Sequence, residues 1–112
     1  MENTDLKNIK DACILPNSVE FVDGFRDIYR NVIQPAIKRE EYSLAEEHLH
    51  KVYDYIMIMN NGFKSPLPNY SADIILLCAD LSSKNIVAET KKNIGFRAEK
   101  LANSLDSFVL ED

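Results

Sequence analysis

The sequence predicts an all-α fold: a single antiparallel helical bundle of four to five helices arranged as two hairpins. Three observations carry that expectation. Apolar residues recur every three to four positions from Phe21 to Ala36 and again from Leu44 to Met59, the spacing that gathers them on one side of a helix. Asn17-Ser18-Val19-Glu20 and Ser43-Leu44-Ala45-Glu46 both have the form of a capping box, in which a cap side chain and a glutamate three residues later satisfy each other's backbone N–H groups. Outside Ile74 to Leu81, no segment alternates apolar with polar residues or is rich in β-branched ones, so a lone strand would find no partner.

The 112 residues suffice for one core and are too few for two, so the chain 1–112 reads as a single domain. Its first element is a short helix over 3–15, with Leu6, Ile9, Ala12 and Cys13 at helical spacing and Pro16 as its stop. A hairpin over 17–61 follows. With Asn17 as cap, the first long helix puts Phe21, Phe25, Ile28, Tyr29, Val32, Ile33 and Ala36 on one face, opposite Asp23, Asp27, Arg30 and Gln34. Pro35 removes a donor and crowds the carbonyl of Asn31, which predicts a kink or a restart of the helix there.

Only Glu41 and Tyr42 then separate this helix from the Ser43 box, and so short a connection makes the two helices antiparallel neighbours. The second helix runs from Ser43 to Asn60, with Asn61-Gly62 as its stop. Its apolar arc holds Ala45, His48, Leu49, Val52, Tyr55, Ile56 and Met59. A proline loop over 62–70 keeps the chain extended and lays Phe63, Leu67 and Tyr70 across an end of the bundle. The last hairpin covers 71–109. Ser71-Ala72-Asp73 resembles a cap, and the run Ile74 to Leu81 is apolar nearly all round, so its periodicity cannot separate a buried helix from a buried strand. Helix is the expectation. After Ser82-Ser83-Lys84-Asn85 the final helix reaches about Phe108, with Val87, Ile94, Ala98, Leu101, Ala102, Leu105 and Phe108 on one side.

Composition narrows function mainly by exclusion. Thirteen Lys and Arg scattered among eighteen Asp and Glu leave a net charge of −5, which argues against nucleic acid as a partner. The longest uncharged apolar run, Ile74 to Ala79, falls far short of the roughly 20 residues that span a bilayer, so no stable membrane insertion is expected. The N-terminus is acidic where a signal peptide is basic, and a cytoplasmic location follows as the expectation. Cys13 and Cys78 fit no metal spacing and read as small buried hydrophobes kept reduced.

Glu47 and His50 have the Glu-x-x-His spacing of metal-binding bundles, but there is one copy where two are needed, and it lies on the polar arc. No metal is expected. His48, inside the apolar arc, reads as a buried structural histidine. With three glycines and no Gly-x-Ser-x-Gly, the chain has neither a phosphate loop nor a nucleophile elbow, and no catalytic residue, cofactor or small-molecule substrate is expected. Lys91, Lys92, Arg97 and Lys100 make a basic patch that reads as a solvated face or as a contact for an acidic protein.

The remaining clue is apolar surface outside the arcs. Met57, Ile58, Phe96 and Leu110 all fall off the core-facing side of their helices and are the candidate interface residues. The expected function is a small non-enzymatic helical interaction module, an adaptor or regulator that meets a protein partner or associates with itself as a homodimer. The alternative is a small bacterial immunity or antitoxin-like protein, of the bacteriocin-immunity type, that binds and neutralises one target.

Overall fold

The first long helix is set going by Ser18. A turn closes before it as the Ser18 N–H donates to the Leu15 carbonyl at 3.0 Å. The Ser18 side chain then accepts from the N–H of Phe21 at 3.2 Å, while its hydroxyl donates to Leu15 O at 2.6 Å. The cap is therefore Ser18 and not Asn17. Both residue types cap well, and the turn over Pro16 chooses between them; Glu20 falls at the second helical position, one short of where a box would close.

The computed structural model describes residues 14–63 and 67–108, and the regular secondary structure among them is entirely helical. Helix α1 (Val19–Ile28), a π-helical turn (Tyr29–Ile33) and α2 (Gln34–Lys38) join through residues that all keep right-handed helical dihedrals, so they form one rod. The Gln34 N–H reaches back five residues to Tyr29 O. This wide turn sits immediately before Pro35 and places the proline in the first turn of a restarted α-helix, where its missing N–H costs least. It also advances the buried face by one residue. Tyr29, Ile33 and Ala36 are fully enclosed, while Ile28 and Val32 are only half-buried.

The rod ends in a Schellman motif: the Glu40 N–H donates to Ile37 O at 3.0 Å and the Glu41 N–H to Ala36 O at 2.8 Å. Glu40 takes the left-handed conformation, φ 59°, at a position where glycine is usual. Next comes α3 (Tyr42–Phe63), which starts one residue before Ser43; Ser43 lies exposed in the first turn and the expected capping box is absent. The helix also runs through Asn61 and Gly62 to Phe63. Gly62 does not stop it, since no described glycine has positive φ.

Ile74 to Leu81 is helical, within α4 (Ser71–Leu81), and α5 (Ala88–Asp106) completes the described elements. Ser71 lies inside the first turn of α4, with Tyr70 at the cap position. Val87 occupies the cap position of α5 in an extended conformation and is 57% exposed, so it leaves the buried face on which its spacing had placed it. Of the expected short helix over 3–15, only Ile14 and Leu15 are described and they are not helical; residues 1–13, and 64–66 of the proline loop, lie outside the described residues.

Helix α4 packs against α3 on one side and α5 on the other, and the α1–α2 rod also packs against both α3 and α5. Arg26 donates to Leu105 O, Tyr29 to Ala98 O, and Glu40 pairs with Lys91, so the rod and α5 run in opposite directions. Arg30 and Asp106 pair along the same seam. Aromatic rings close one end. Phe21 stacks on Tyr55 with centroids 5.6 Å apart, and Tyr70 meets Phe25 at 5.9 Å and Phe108 at 6.0 Å. Tyr55 and Tyr70 also tether the incoming chain by donating to Ile14 O at 2.9 Å and Pro16 O at 2.8 Å.

Candidate interaction surface

Helix α4 is apolar on both of its sides, yet only one is used by the core. Ile74 and Leu77 are wholly buried and Leu81 nearly so, whereas Ala72, Ile75, Leu76 and Ala79 face outward, with Ile75 43% and Leu76 39% exposed. The geometry explains the split. Helices α3 and α5 pack along its two flanks, and no described element packs across its outer side. Spacing alone does not mark Ile75 and Leu76, because a run without polar residues has no phase to reveal which side is left bare.

Polar contacts fix the orientation of α4. Asp73 is buried, accepts from Ser104 Oγ at 2.6 Å, and lies 3.8 Å from Lys100 Nζ. Behind it, the Tyr29 hydroxyl is pushed well above the ordinary tyrosine range, chiefly by burial and secondarily by the Asp73 charge. Arg97 reaches Asp80 at 3.6 Å. Three of the four cations in the basic patch expected on the last helix pair with acids of the same chain: Lys91 with Glu40, Arg97 with Asp80, Lys100 with Asp73.

On the α3 side, Cys78 is half-buried, and its thiol is pushed up to about 12, first by burial and then by the nearby charges of Glu46 and Asp54. Those two carboxylates flank His50, each 3.5 Å from one of its ring nitrogens. At 100° per residue Met57 projects into the same strip of α3, between the directions of Glu46 and Asp54, so it borders the outer face of α4. His48 is half-buried where the apolar arc implied full enclosure. Among the described residues no three His, Cys, Asp or Glu side chains gather closely enough to hold a metal ion.

The sequence-nominated interface residues do not form one patch. Met57 is 40% exposed and Ile58 67% exposed on α3, Phe96 is 64% exposed on α5, and Leu110 lies outside the described residues. Ile58 and Phe96 each stand opposite the buried face of their helix, and their helices flank α4 from opposite sides. They therefore point apart. Only Met57 adjoins the α4 face. A separate groove of about 300 Å³ runs between α2 and α5, floored by Ile37, Ala98 and Ala102 and rimmed by Gln34, Lys38 and Glu99, at the small end of the range for ligand sites.

Compared with protein-family models, with curated proteins and with solved structures, the chain matches none. No helix among the described residues is long and apolar enough to cross a membrane.

Proposed function

We propose that the protein is a small non-enzymatic interaction module, an adaptor or regulator in the cytoplasm, built as two antiparallel helical hairpins that offer the outer face of α4 to a protein partner. The observation that carries this reading is the exposure of Ile75 and Leu76, with Met57 at their border, on a helix whose opposite face already fills the core. Adjacent exposed apolar side chains on a small domain are characteristic of contact surfaces. Burial of each on binding would contribute about 25 cal/mol per Å² of apolar area.

Three of the titratable groups are not tuned as bases or nucleophiles. Tyr29, Tyr70 and Cys78 are all shifted upward by burial, away from neutral pH and toward their uncharged forms. A general base or an activated thiol needs the opposite tuning.

Photo-cross-linking in the producing cell tests the proposal. A benzophenone side chain at position 76 is expected to yield a discrete protein adduct, and the same group at the exposed position 23 none. Equal labelling from both positions, or none from position 76, would refute the assignment of this face.

A further inference from the structure

The outer face of α4 is bordered by ridges of opposite sign. On one side stand Glu46 and Asp54 of α3, bridged by His50. On the other, Arg97 and Lys100 of α5 reach across to Asp80 and Asp73. Asp73 lies beneath Lys100, 10% exposed against 54%, while Asp80, 25% exposed, is close to Arg97 at 30% but turns its enclosed Oδ2 toward it. What an approaching surface meets is therefore carboxylate, then apolar helix, then cation. A surface with that order of charges is complementary to itself.

We infer that the occupant of this face is a second copy of the chain, related to the first by a two-fold axis running along α4. Such an axis exchanges left and right while preserving height along the helix, so α3 of each copy lies over α5 of the other. Glu46 and Asp54 then face Arg97 and Lys100 of the second copy, twice over by symmetry. Along α4 the cations stand at Asp73 (Lys100) and Asp80 (Arg97), and Cys78, which senses the charges of Glu46 and Asp54, lies between those two positions. The other face-to-face arrangement, with the two-fold across the helix, sets α3 on α3 and acid on acid. Complementarity selects the first. Ile75 and Leu76 of both copies meet near the axis, while Ala72 and Ala79, one turn to either side, let the two helices approach.

This inference rests on reading the face as an interaction surface, and the test keeps the two apart. Sedimentation of the full chain over a range of concentrations is expected to show a monomer–dimer equilibrium. The variant with Glu46→Lys and Asp54→Lys should dimerise at least tenfold more weakly, and mixing it with the variant carrying Arg97→Glu and Lys100→Glu should restore the 1:1 dimer. Circular dichroism checks that each variant folds.

Should a charge variant unfold, cysteine cross-linking decides instead. With Cys13→Ala and Cys78→Ala in place, Ala72→Cys and Ala79→Cys should each form a disulfide dimer with itself on mild oxidation. Disulfides only between position 72 of one copy and position 79 of the other overturn the proposed axis. A chain monomeric at every concentration overturns the second copy; if the probe at position 76 still labels another protein, the interaction surface itself survives.

Discussion

The inner and outer faces of α4 are made of the same kinds of residue and have opposite fates. Ile74, Leu77 and Leu81 disappear into the core beside the buried Asp73, whereas Ala72, Ile75, Leu76 and Ala79, one position away on the same helix, remain at the surface. Hydrophobicity cannot distinguish them. What does so is the arrangement of neighbours: α3 and α5 pack along one side, and nothing described packs over the other. Apolar character that folding does not use is a signal of association, provided that it can be located, and only the packed structure locates it.

The comparison breaks most easily at Leu77. Leu77→Ala empties a fully buried site and should lose about 3 kcal/mol, whereas Leu76→Ala should change stability by no more than about 0.5 kcal/mol. Denaturant unfolding of both variants checks the pair, and equal losses would show that the two faces are packed alike.

Alkali probes the inner face at its polar points. Burial raises the hydroxyls of Tyr29 and Tyr70 in the folded protein above their ordinary value of about 10, so the folded state holds protons that the unfolded chain releases. Their contribution is complete below pH 10 and is lost as the pH climbs from there toward the folded values. Stability should fall by as much as about 1.4 kcal/mol per pH unit for each of these tyrosines. Tyr29→Phe should flatten the slope by one such contribution, at the expense of the hydrogen bond to Ala98 O, worth about 1 kcal/mol. Unfolding midpoints from pH 9 to 11 make the measurement, and a flat profile would mean that both hydroxyls reach solvent.

A smaller effect sharpens the contrast from outside α4. Glu40 holds a left-handed conformation at the Schellman corner and pairs with Lys91, so in Glu40→Gly relief of local strain is offset by loss of the exposed pair and by the greater freedom of glycine when unfolded, and stability should change by no more than about 0.5 kcal/mol. Association should be unchanged. A thermal shift with an altered sedimentation profile would indicate that the corner, and not α4, contributes to the contact.

Much of this fold is legible in the residues themselves. The faces of the first rod and of α3 follow from spacing, since Phe21, Phe25, Ala45, Leu49, Val52 and Ile56 recur with a helical period against polar opposites. Local chemistry was less decisive. Asn17 and Ser18 are equivalent as caps until the Leu15 to Ser18 turn selects the second, and Ser43-Leu44-Ala45-Glu46 has the letters of a capping box while the helix starts ahead of it. Pro35 announced a disturbance, but the π turn that absorbs it, and the one-residue advance it gives the buried face, depend on the closing of the whole rod. The proposed contact face was the least legible part. Met57, off the arc of α3, is exposed as its spacing implies, while Ile75 and Leu76 are hidden in a run with no polar residue to mark its phase, and Ile58 and Phe96 lie on separate sides.

One paired measurement tests the division of α4 most directly. Parent and Leu76→Lys samples, each brought to the same range of concentrations, are compared for denaturant midpoint in dilute solution and for sedimentation coefficient at high concentration. The expected result is a midpoint shifted by no more than about 0.5 kcal/mol together with loss of the concentration-dependent rise in sedimentation shown by the parent. A Leu76→Lys chain that unfolds, or that sediments as the parent does, would show that the outer face of α4 is either core or idle surface.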